Sequence, residues 1–199
     1  MKKITLISIT LIMMISFGCR PSRNKTAAEI QKLELILYAP NVTSFNKVDA
    51  DNLIVMYDKF IKDFPTDTLV PIYLFKAANL EMNASNAREA ISRFDTLIRK
   101  YPANPKAATG LFFKGYIYEN VLKDLGKAKE TYLLFIEEYP NHELVKDAQM
   151  SIRNLGKTPE QIIREFEMMQ KHDSVRKADS LANLKLKNQK SKIKNKGKK

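Results

Sequence analysis

Between residues 26 and 170 the apolar positions recur three or four residues apart, and no stretch alternates long enough to predict a strand. The pattern also repeats itself. Aromatic-proline pairs stand at Phe64-Pro65, Tyr101-Pro102 and Tyr139-Pro140, at separations of 37 and 38 residues. Eight residues before each proline is an aromatic (Tyr57, Phe94, Tyr132). Five before it is a large apolar residue (Phe60, Leu97, Phe135), and four before it an isoleucine (Ile61, Ile98, Ile136). Positions 57, 60, 61 and 64 trace one face of a helix, and the other two copies keep that face. Proline disfavours helical geometry in the residue before it, so each segment is predicted to end at its Pro.

Start signals divide the rest. Asn104-Pro105 is an N-cap with Pro at the first helical position. Thr158-Pro159-Glu160-Gln161 adds a capping box, and Thr26-Ala27-Ala28-Glu29 reads as another. These signals predict eight helices, over 26–37, 48–63, 68–83, 86–100, 105–122, 126–138, 143–154 and from 159 onward. A single helical hairpin cannot bury its apolar face alone, so repeated hairpins must stack, and about three are needed.

The repeat resembles the tetratricopeptide repeat. In that family the second helix carries a small residue, an aromatic and a large apolar residue before a terminal Pro, as do Ala90, Phe94, Leu97 and Pro102, and again Ala128, Tyr132, Phe135 and Pro140. Ala78 and Gly115 suit the small contact position of the first helix, while the first copy places Leu53 where Ala is expected. The resemblance implies an all-α, tetratricopeptide-like helical-hairpin solenoid of about three repeats over residues 48–156, with a groove that holds a peptide or helix of another protein. The groove positions it implies are Phe75 and Asn79 in one hairpin, and Phe112 and Tyr116 in the next.

Charge changes the picture at the two ends. The chain has 199 residues and a net charge of +12, of which residues 1–25 carry +5, residues 26–170 carry −2 and residues 171–199 carry +9. At the N-terminus, Met1-Lys2-Lys3 precedes a mostly apolar run from Ile4 to Phe17, then Gly18 and the lone Cys19. A basic start, an apolar run of that length and a small residue describe a secretory signal segment, and the run is too short for an ordinary membrane span. Ile15-Ser16-Phe17-Gly18-Cys19 resembles the lipobox of bacterial lipoproteins. That resemblance implies residues 1–18 as signal peptide and lipid attachment at Cys19. With Arg20 rather than Asp following, it implies the outer membrane, facing the periplasm. The chain then divides into a tether and N-terminal helix (19–47), the repeats (48–156), a C-terminal helix available to cover the last repeat (157–184) and a Lys-rich tail (185–199). The tail holds eight Lys and no acid, a composition that buries no core and predicts disorder. Its charge suits an anionic surface.

No enzyme emerges. His142 and His172 are the only histidines and stand 30 residues apart, a second cysteine for a zinc site is missing, and no phosphate-binding or nucleophile-elbow motif occurs. No cofactor and no metal are expected. Nucleic acid is not expected as a partner either, because export runs against it and the tail has no aromatics to stack on bases. Signal, lipobox and repeats together resemble the periplasmic repeat lipoproteins of barrel-protein assembly and cell division. They imply an interaction scaffold whose partners are other envelope proteins. The alternatives are an accessory subunit of a peptidoglycan or division complex, and a basic nucleic-acid-binding repeat protein with its N-terminus misread.

Overall fold

The computed structural model describes residues 22–40 and 46–196, so the predicted signal segment 1–18 and Cys19 lie outside the described residues. Eight helices occur among those described: α1 (Arg23–Leu37), α2 (Lys47–Asp63), α3 (Val70–Asn83), α4 (Ala87–Lys100), α5 (Pro105–Asn120), α6 (Leu125–Glu138), α7 (Val145–Asn154) and α8 (Pro159–Lys196). There is no strand among the described residues. The all-α expectation holds, and predicted and observed ends agree to within a few residues.

Side-chain caps mark four of the eight starts, at Asn46, Asn104, Asp124 and Thr158. Asn104 Oδ1 accepts the Lys106 N–H at 2.9 Å. The box at Thr158 closes both ways, with the Thr158 N–H on Gln161 Oε1 at 2.9 Å and the Gln161 N–H on Thr158 Oγ1 at 3.3 Å. The box expected at Thr26 does not form. Thr26 is buried, its hydroxyl donates back to the Ser22 carbonyl at 3.2 Å, and α1 begins three residues earlier. A Thr inside a helix commonly makes this bond to the carbonyl four residues back, which removes its oxygen from capping.

The repeated positions become the core. Tyr57, Phe60, Phe94, Leu97, Tyr132 and Phe135 are all fully buried, as are Ala90 and Ala128. Leu53, standing where those alanines stand, is buried too. Consecutive helices from α1 to α6 pack on one another, and α3 also packs on α5. The hairpins α1–α2, α3–α4 and α5–α6 therefore stack in sequence order, and the hairpin pattern reaches back to α1, ahead of residue 48. Gly115 marks one close crossing: a Cβ there would lie 2.7 Å from the Tyr132 ring.

The chain divides into two units, one ending at Ile152 and the other spanning Arg153–Lys199. In the second, every described side chain from Ile163 onward is exposed, including Ile163, Phe166, Met169 and Val175. The Lys-rich stretch keeps a helical backbone as far as Lys196. No described helix is long and apolar enough to cross a membrane.

Candidate interaction groove

Short turns join α3 to α4 and α5 to α6, and consecutive helices pack on one another. Polar bonds tie α1 to α3 and to the turn that precedes it. Glu34 Oε1 accepts from Lys76 Nζ at 2.8 Å, and Arg23 pairs with Asp67 at 2.9 Å. On α3 the residues between Tyr73 and Leu80 are buried except Lys76 and Asn79, and Ile72 is partly exposed one turn earlier. Positions 72, 76 and 79 follow the one-face spacing of a helix. Thirty-seven residues on, Thr109, Phe113 and Tyr116 hold the same face of α5 and are likewise not buried. Between α1 and α3 the surface forms a cleft of about 480 Å³, lined among others by Asn24, Gln31, Ile72 and Lys76.

Two of the four groove residues implied by the sequence lie on this face. Tyr116 is 42% exposed, and Asn79 is half-buried. The other two do not line it. Phe75 and Phe112 are buried, Phe75 at 6.0 Å from the Phe94 ring, Phe112 at 5.5 Å from Tyr132 and 5.7 Å from Phe135. Their rings close the hairpins, where an aromatic is worth more than on a wet face. The face also carries Lys76 and Thr109, together with Ile72 and Phe113, which are partly buried against the core, Phe113 at 6.1 Å from the Phe75 ring and 6.3 Å from Phe94. Stepping back three and seven residues from Asn79 and Tyr116 reaches these four. The Phe112-Phe113 doublet hides that choice, since either ring fits an apolar position.

The face carries one unmet bond. Asn79 Oδ1 is buried and has no hydrogen-bond partner among the described residues. An unpaired buried acceptor costs about 1–3 kcal/mol.

The deeper polar groups are structural. The Tyr57 hydroxyl donates to Glu34 Oε1 at 2.7 Å, and the Tyr132 hydroxyl to Glu119 Oε2 at 2.9 Å. Burial first, then the Glu34 carboxylate, pushes the Tyr57 phenol above its ordinary range. Burial also raises Tyr132, opposed in part by Ser151 and assisted by Glu119. Arg93 joins Asp58 of α2, at 2.9 Å through one of its nitrogens, to the buried Glu81 of α3 at 3.7 Å. Among the described residues no three His, Cys, Asp or Glu side chains gather as a metal site.

Residues 73–104 and 112–142 match the tetratricopeptide repeat family. The first span covers nearly all of α3, α4 and the turn that follows, and the second begins within α5 and ends in the turn after α6. No curated protein matches the chain. The hairpins α3–α4 and α5–α6 thus carry the match to the tetratricopeptide repeat, which supports a protein-binding role.

Proposed function

We propose that the protein is a lipid-anchored scaffold of the bacterial envelope, held through Cys19 in the outer membrane facing the periplasm, and that it binds segments of other envelope proteins along α1, α3 and α5. The observation that carries this reading is the row of partly exposed residues Lys76 and Asn79 on α3 and Thr109 and Tyr116 on α5, on tandem interaction repeats. The signal-like N-terminus and the lipobox-like run before Cys19 support the location. Envelope assembly is the process, with barrel-protein assembly foremost. The Lys-rich end adds attraction to an anionic surface, worth up to about 1 kcal/mol per Lys near an acidic membrane.

The test combines a photo-crosslinker at Tyr116 in cells with recovery from the membrane fraction, for the full chain and for a form ending at Leu184. Barrel-assembly components captured by both forms support the reading and assign binding to the repeats. Capture of peptidoglycan or division enzymes instead would move the protein to that machinery, and capture of nucleic acid lost on truncation would overturn export. Palmitate labelling that persists in Cys19→Ala would remove the anchor.

A further inference from the structure

Each of the three proline turns is built on the same set of hydrogen bonds. The carbonyl of the aromatic before Pro accepts the N–H of the residue two after Pro: Phe64 from Asp67 at 3.0 Å, Tyr101 from Asn104 at 2.9 Å, Tyr139 from His142 at 3.0 Å. The carbonyl of that residue then accepts an N–H three further on: Asp67 from Val70 at 3.1 Å, Asn104 from Ala107 at 2.8 Å, His142 from Val145 at 3.1 Å. Its side chain accepts a third N–H, two residues on. Asp67 Oδ1 takes Leu69 at 2.9 Å, Asn104 Oδ1 takes Lys106 at 2.9 Å, and His142 Nδ1 takes Leu144 at 3.2 Å.

Two of these acceptors are oxygens that stay acceptors at neutral and mildly acidic pH. The third is a ring nitrogen. Nδ1 accepts only while it carries no proton, which places the ring's hydrogen on Nε2. A second proton turns Nδ1 into a donor pointed at the Leu144 N–H, so protonation and the closed turn exclude each other. Imidazole is the side chain whose charge ordinarily changes between about pH 5 and about pH 8. The ring packs edge-on against Phe135 at 5.4 Å. The titratable groups on the flanking elements are Glu138 and Tyr139 at the end of α6, Glu143 in the turn, and Lys146 and Asp147 in the first turn of α7. His142 joins no salt bridge among the described residues.

We infer that His142 is a pH-sensitive latch: protonation opens the turn between α6 and α7 and loosens α7, through Ile152, while the turns at Asp67 and Asn104 stay shut. Closing a helix start through a side-chain acceptor is worth about 1 kcal/mol, so its loss raises local opening roughly fivefold.

Hydrogen exchange of the full chain, expressed as protection factors at about pH 7.5 and about pH 5, tests this. Protection over 143–152 should fall roughly fivefold at the lower pH while 105–110 holds. His142→Asn, which supplies the amide acceptor of Asn104, should keep protection at both values. His142→Ala should be poorly protected at both. Equal protection of the wild type across the two values, or an undiminished pH response in His142→Asn, would overturn the latch.

Discussion

In α3–α4 the fully buried ring eight residues before the proline is Phe94, and in α5–α6 it is Tyr132. The neighbouring positions change with it. Ala78 becomes Gly115, and Met82 becomes Glu119, whose carboxylate accepts the Tyr132 hydroxyl at 2.9 Å. The α1–α2 hairpin takes the polar solution again, with Tyr57 on Glu34. One backbone frame thus has two fillings. A phenol brings a polar atom that must be paired when buried, and its ring lies where a Cβ on Gly115 would be. The residues therefore vary as a set.

The largest effect should come from emptying the frame. Phe94→Ala is expected to destabilise the protein by about 3–5 kcal/mol in chemical denaturation, because the site is enclosed by Phe75, Phe113 and the facing helix. Tyr132→Ala should cost as much. A much smaller loss at Phe94 alone would mean that the two rings are not equivalent.

Gly115→Ala sharpens the point. Elsewhere in a helix this change gains up to about 1 kcal/mol in propensity. Here the new Cβ would sit 2.7 Å from Tyr132 Cε1 and 2.8 Å from Cδ1, so a net loss of about 1–3 kcal/mol is expected. Tyr132→Ala in the same chain should relieve it. Stabilisation by Gly115→Ala alone would show that the ring moves freely, against the set.

The fold was largely legible because the pattern is long and periodic. Three aromatic-proline frames fixed the second helices and named the buried Tyr57, Phe94 and Tyr132. Which aromatics face outward was less legible. The spacing could be counted, but buried and exposed aromatics share a letter, and Phe75 and Phe112 proved to be packing. The pairs Tyr57–Glu34 and Tyr132–Glu119 span 23 and 13 residues, so no fixed offset reveals them. The first also bridges a longer connection than the second. The latch at His142 was visible only once three turns could be laid on one another atom by atom.

Exchanging the fillings tests the polar pair directly. Glu119→Met leaves the Tyr132 hydroxyl without its acceptor and should cost about 1–3 kcal/mol. Tyr132→Phe should cost less, since Glu119 is partly exposed and can turn to water. The double variant reproduces the Phe94–Met82 combination and should recover at least part of the loss, giving a coupling energy of about 1 kcal/mol. Strict additivity in the cycle would dissolve the set into independent sites.

Alkaline titration reads the same pairs without replacing them. The folded values of Tyr57 and Tyr132 lie above the unfolded one, so their contribution is complete below the unfolded phenol range and lost as pH rises through it. Stability should fall by on the order of 1 kcal/mol per tyrosine by about pH 11. Tyr57→Phe with Tyr132→Phe should flatten that slope, whereas Phe94→Tyr should steepen it.

The smallest effect concerns what the hairpins share. Ser85 and Lys123 occupy corresponding turns and both adopt left-handed backbone geometry, with φ of 62° and 56°. A side chain with a Cβ pays about 1–2 kcal/mol there, and glycine avoids most of that cost while adding entropy to the unfolded chain. Lys123→Gly should therefore stabilise by about 0.5 kcal/mol, and Ser85→Gly by a similar amount. Since the strain belongs to the frame and not to the filling, both gains should be equal and should persist in the Tyr132→Phe, Glu119→Met background. A gain at one turn only would mean that the two hairpins differ in backbone as well as in the side chains they bury.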